Sequence, residues 1–408
     1  MEGVSTGDRT RLCVLYAVHA CALGFWGVNL GSVLKAYGLE HIVPYAFACS
    51  SIAAFISPLA MGALADQRMS PERVLRILGI GSAVSLFLMY YAIQQHWGAM
   101  WVLVFTQIHA LWSVPTFGLS TSLILSRLSD PKQQFGPIRL WATVGWMASG
   151  ILISTVLMAD RSVVSGYAAC VTWLLTVAIT FTLPEKRRLE LPKPKRSFQE
   201  ILGLDALPLL THPDHRVVFI TSGLLNMALA AFYPYTVLQL QDLGIEKATM
   251  LMGVGQIAEI IAMLALSVVL TRLRLKWVFL AGITFGVARY ALFILNVKSA
   301  MILGIFLHGF CFTLFFITAQ IYLEQRIAAG MRARAQALMT LVTSGFGNLF
   351  GYLGIGWWRG FCVTPQGHTD WPRFWTGMTV LTVVVFVFFA LAYKGRVRET
   401  QKTAPLVP

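Results

Sequence analysis

The chain has 408 residues, 57% of them hydrophobic and only 12% charged, with a mean hydropathy of +0.68. A soluble domain carries about twice that charged fraction, so a soluble enzyme or binding module is excluded and a polytopic helical membrane protein remains. The net charge of +14 reads as membrane topology under the positive-inside rule, not as nucleic-acid binding.

The polar N-terminus, MEGVSTGDRTR, shows no signal-peptide cleavage pattern, so the first span is expected to be retained. Apolar runs of bilayer length predict twelve spans: 12–34, 42–64, 76–95, 99–126, 134–158, 163–183, 216–239, 249–270, 277–296, 299–323, 336–358 and 374–393. Alternate connections differ sharply in Lys and Arg content. The richer set includes Arg9 and Arg11, Lys186 through Arg216, and Lys394 through Lys402, which puts both termini in the cytoplasm. The expected organisation is a six-helix bundle over 1–183, a basic cytoplasmic loop over 184–215, and a second six-helix bundle over 216–408. Within the loop, 198–210 (FQEILGLDALPLL) is predicted as a short amphipathic helix at the anionic leaflet.

The loop after span 2 reads Gly62-Ala-Leu-Ala-Asp66-Gln-Arg68, with Arg73 five residues further on. It resembles the loop motif of the major facilitator superfamily, in which an aspartate at a helix end pairs with basic groups to hold an inner gate closed. With twelve spans in two halves, the resemblance implies an all-α membrane protein of that fold.

Taken in order, the spans carry few polar side chains. Span 1 has His19, and span 4 has His109 and Thr116 around Pro115, as packing or cavity-lining groups. In span 5, Arg139, Thr143 and Trp146 stand at i, i+4 and i+7, one helical face. A guanidinium, a hydroxyl and an indole on one stripe suit a polyhydroxylated ligand with a flat ring; the alternative for Arg139 is snorkelling to the interface. Span 8 carries Gln256 and Glu259, three residues apart and so on one face. Glu259 lies about ten residues into its span, roughly 15 Å deep, where a carboxylate is a functional-site hypothesis with proton binding as its obvious use. Arg289 in span 9 is too deep to snorkel; Glu259 is its expected partner, either as a coupling device or as a static ion pair. Span 10 places His308 and Phe312 near one face, for proton relay or substrate contact. The glycines of span 11 suit close helix packing.

Several of these stretches together resemble the bacterial nucleoside–proton symporters. They are Pro115-Thr116 with Leu119, Pro137-Ile-Arg139-x-Trp-x-Thr143-x-Gly145, Leu202-Gly-Leu-Asp205-Ala, Gln256-Ile-x-Glu259, Arg289-x-Ala-Leu-Phe293, and Arg332-Ala-x-Ala-Gln336 with Gly345-Phe-Gly347. The resemblance implies a substrate site of Arg139, Thr143, Trp146, Gln256, Phe312 and His308, and proton coupling through Glu259, Arg289 and His308. Gly62, Asp66, Arg68 and Arg73 would form the gating motif. The family's polar pair in span 7 falls on Ala228 and Ala231. Its span 10 tyrosine falls on His308, and its following aspartate on Thr313. Galactoside–proton symporters share the Arg139–Trp146 spacing and Leu307-His308, so a glycoside substrate stays an alternative, and a transporter-like solute sensor a remote one. The reading is proton-coupled nucleoside uptake by alternating access in the inner membrane, by a monomer. No enzymatic activity, nucleic-acid partner, metal or cofactor is expected; the proton gradient would supply the energy.

Overall fold

The computed structural model describes residues 6–66, 69–183 and 197–395. The described chain forms twelve long helical stretches. In the first half these are α1 (Thr6–Gly27, continued by Leu30–Ala36), α2 (Val43–Asp66), α3 (Pro71–Gln94), α4 (Ala99–Leu125), α5 (Pro131–Ile151 with a π turn, Leu152–Val156) and α6 (Val164–Phe181). In the second they are α7 (Pro213–Leu229 and Phe232–Asp242), α8 (Ala248–Leu251 and Val254–Arg272), α9 (Leu275–Ile294), α10 (Lys298–Cys311, a π turn at Phe312–Ile317, then Thr318–Arg326), α11 (Arg332–Thr340, a π turn at Leu341–Gly347, then Asn348–Gly360) and α12 (Trp371–Ala392). Ten of the stretches meet the length and hydropathy required to cross a membrane.

Local chemistry starts these helices where the apolar pattern breaks. Ser70 accepts the Arg73 N–H at 3.4 Å with Pro71 in the first turn of α3, and Asp370 accepts the Arg373 N–H at 3.0 Å at the start of α12. On α12, Val380, Val384, Val387 and Leu391 recur at helical spacing and are all exposed. A lipid-facing stripe accounts for them where a soluble surface would not.

The chain divides into two compact units. One comprises Met1–Lys195 with Phe232–Gln256, the other Arg196–Ala231 with Ile257–Pro408. In the first, α1 packs on α5 and α6, and α4 on α2 and α3; in the second, α9 packs on α10 and α12, and α7 on α11 and α12. The second part of α7 and the first turns of α8 therefore belong with α1–α6. Asp160 fixes that arrangement: its carboxylate accepts the Thr249 N–H and the Ser154 hydroxyl, both at 2.9 Å, while Ser154 Oγ accepts the Met250 N–H at 3.0 Å. These contacts satisfy donors that open the first turn of α8.

The basic run from Lys186 to Arg196 lies outside the described residues. The segment 198–210 is not one interfacial helix. Ser197 and Glu200 form a capping box for a short helix, Phe198–Leu202; Gly203 then turns left-handed at φ 70°, and a 3-10 turn runs over Leu204–Thr211. A Cβ at Gly203 would lie 2.5 Å from the Arg334 carbonyl and 2.7 Å from the Leu338 nitrogen, so the turn sits directly on the start of α11. Arg334 holds it there, at 2.8 Å from Asp205 and 3.5 Å from Glu200. Leu202-Gly-Leu-Asp205-Ala and Arg332-Ala-x-Ala-Gln336, separate in the sequence, are thus two faces of one contact. These charges are partly exposed, so the contact is worth under about 1 kcal/mol. Arg334→Ala is expected to speed proteolytic cleavage between 197 and 212 while leaving uptake near wild type, as peptide mapping and transport assays would show.

Candidate functional site

In the first unit, α5 presents Arg139, Thr143 and Trp146. The Arg139 guanidinium lies over the rings of Phe117, at 5.2 Å, and Tyr16, at 5.8 Å. It stacks on these rings within the unit. Among the described residues it has no hydrogen-bond partner, and neither do the Thr143 hydroxyl and the Gln256 amide, although both residues are buried. Trp146, half-buried, meets Tyr233 edge-on at 5.9 Å. Three uncommitted polar groups and an aromatic pair are what a ligand with ring and hydroxyls requires, because a buried polar group with no partner is costly.

The stripe can approach α1 because of Gly145. A Cβ there would fall within the radius of the Ala17 carbonyl oxygen and 2.7 Å from its carbon. Neither His109 nor Thr116 faces open space; both are fully buried. His109 Nδ1 pairs with the Ser82 carbonyl at 3.0 Å, and Thr116 Oγ1 with His19 Nε2 at 2.9 Å. They belong to the core of α1, α3 and α4.

In the second unit, Glu259 stands half-buried on α8, three residues after Gln256. Arg289 is fully buried on α9, and its Nη1 donates to His308 Nδ1 at 2.5 Å. A guanidinium has no acceptor, so His308 Nδ1 must be a lone pair and the ring proton must sit on Nε2. The Arg289 guanidinium also lies 4.4 Å from the Tyr290 ring, and Tyr290 donates its hydroxyl to the Ala228 carbonyl at 2.8 Å. Sequence reasoning missed this His308–Arg289–Tyr290–Ala228 chain because its members are spread over three helices. Phe312, half-buried, opens the π turn of α10 at 6.3 Å from the His308 ring. Thr313, the next residue, is buried, as is Ala231 at the break in α7.

Of the gating motif, Gly62 and Asp66 lie in the last turns of α2, Arg73 is exposed at the start of α3, and Arg68 lies outside the described residues. Close by in the chain is a pair that no motif announces: Glu72 and Arg127 meet at 2.5 Å with side chains 2% and 7% exposed. In the sequence Arg127 is merely one of the topology-setting cations. In the fold it ties the first turn of α3 to the end of α4.

The profile of the family described as "Nucleoside H+ symporter" matches residues 7–398. "Putative nucleoside transporter YegT" of Escherichia coli K12 is 31% identical over 409 residues, covering 94% of this chain and 93% of that protein. "Nucleoside permease NupG" of the same strain is 27% identical, covering 96% and 97%. Two crystal structures of nucleoside transporter NupG match with TM-scores of 0.87 and 0.84 at 24% identity, covering 95% of this chain and 100% and 99% of those. The fold is that of the major facilitator superfamily.

Proposed function

The chain belongs to the nucleoside H+ symporter family, and from that premise we propose how its own residues divide the work. The protein is a multi-pass membrane transporter that takes up nucleoside with protons by alternating access. Arg139, Thr143 and Gln256 hydrogen-bond the nucleoside, Trp146 and Phe312 offer ring faces to it, and Glu259 carries the proton. His308 holds Arg289, its Nδ1 being committed as an acceptor. The observation that supports this division is the set of polar groups on Arg139, Thr143 and Gln256 that have no hydrogen-bond partner among the described residues.

We further propose that the protein works as a monomer in the inner membrane, with both termini cytoplasmic, the Asp66 and Arg73 segment gating, and no chemistry performed on the substrate. The proton gradient is its energy source.

The test is uptake of labelled uridine by cells expressing the chain, with unlabelled nucleosides, free bases and galactosides as competitors. Competition by nucleosides alone is expected. Competition by galactosides alone would overturn the substrate assignment and make Trp146 a sugar platform. Stacking of a base on an aromatic ring contributes about 1–3 kcal/mol. Trp146→Ala is therefore expected to weaken uridine competition on the order of tenfold, with maximal uptake less affected.

A further inference from the structure

Asn226 on α7 and Asn348 on α11 form an amide pair. Asn226 Nδ2 donates to the Thr343 carbonyl at 2.8 Å and to Asn348 Oδ1 at 2.6 Å. The π turn at Leu341–Gly347 lets Thr343 and Asn348, five residues apart, serve one donor on one face. Gly347 makes room for the approach, since a Cβ there would lie 3.2 Å from Asn226 Cβ and 3.0 Å from the Gly223 carbonyl.

The amide orientations are set by these bonds. The Thr343 carbonyl can only accept, so Asn226 must turn its NH2 toward it, which leaves Asn226 Oδ1 as an open acceptor. Asn348 must then give its oxygen to the second N–H of Asn226, which leaves Asn348 Nδ2 as an open donor. Among the described residues neither open atom has a partner, and neither is sealed from solvent. Asn226 lies 13 residues after Pro213 and Asn348 16 residues after Arg332, each roughly 20 Å or more along a helix. At that depth open amide atoms facing lipid are costly; such groups face a watered cavity or a ligand.

We propose that Asn226 and Asn348 read the nucleobase: Asn226 Oδ1 accepts from the base's hydrogen-bonding edge and Asn348 Nδ2 donates to it. The proposal rests on the nucleoside reading of the substrate. An acceptor beside a donor complements the adjacent donor and acceptor that every common base carries, such as N3–H and O4 of uracil. It accepts bases broadly and rejects one whose edge is blocked.

The test is competition with labelled uridine uptake by the full-length protein, using uridine, 5-methyluridine and 3-methyluridine. A methyl at C5 lies off the edge; a methyl at N3 removes the donor. On wild type, 5-methyluridine is expected to match uridine within about twofold and 3-methyluridine to compete about tenfold less well or worse. Asn226→Ala, which removes the acceptor for N3–H, is expected to shrink that gap to within about threefold. Equal competition by 3-methyluridine on wild type would overturn the amide edge whether or not the variant folds. So would an Asn226→Ala protein that takes up uridine and keeps the full gap. A wild type that takes no nucleoside would remove the substrate assignment and this edge with it, whereas uridine uptake with no response to N3 methylation removes the edge alone.

Discussion

Replacing Glu259 with glutamine is expected to abolish accumulation of nucleoside while leaving its binding and exchange. The amide keeps the size and much of the hydrogen bonding of the acid but cannot take up and release a proton. Glu259 is the half-buried carboxylate of an otherwise apolar stretch of α8, close to the uncommitted Gln256. Moving one elementary charge across 100 mV is worth about 2.3 kcal/mol, or roughly fiftyfold in concentration for one proton per nucleoside. Wild-type vesicles energised to that potential are expected to accumulate uridine toward that ratio and to lose it with a protonophore. Glu259→Gln vesicles should equilibrate to a ratio of about one, with exchange of internal for external uridine retained. Protonophore-sensitive accumulation by the variant would move the proton site elsewhere.

Gly145→Ala is expected to leave little folded protein. The added methyl would overlap the Ala17 carbonyl oxygen and sit 2.7 and 2.9 Å from the carbonyl carbon and Cα of the same residue. These are backbone atoms of α1, so no side chain can swing aside, and α5 must move as a whole. Overpacking of a side-chain kind costs about 1–3 kcal/mol, and a collision with backbone costs more. The shift would also drag Arg139 off the rings of Tyr16 and Phe117. The measurement is recovery of monodisperse detergent-solubilised protein, with Gly118→Ala as a control, because a Cβ at Gly118 meets nothing within 4 Å. Equal recovery and equal thermal stability of the two variants would contradict the packing of α5 on α1.

The spans were legible because a bilayer demands long apolar helices, and that demand is written in composition. The Arg139, Thr143 and Trp146 stripe and the Gln256–Glu259 pair were legible because they are local, set by the period of one helix. Contacts between helices were not. Arg289 meets His308, 19 residues away on the next helix, a contact that the period of a single helix does not announce. Asn226 and Asn348 are 122 residues apart, and their meeting depends on a π turn that no propensity announces. The loop helix failed as an interfacial helix because Gly203 breaks it and Arg334 holds it to α11. For His109 and Thr116 the sequence leaves packing and cavity lining equally open, because only the contacts between helices decide it; both bond partners inside the core.

The most direct test of Glu259 as the proton carrier is internal pH in proteoliposomes, monitored with a trapped dye after uridine is added with no imposed proton gradient. Wild-type vesicles are expected to acidify as uridine enters, and Glu259→Gln vesicles to take up uridine with no pH change. Uridine entry without acidification in the wild type, or acidification that persists in the variant, would contradict that role for Glu259.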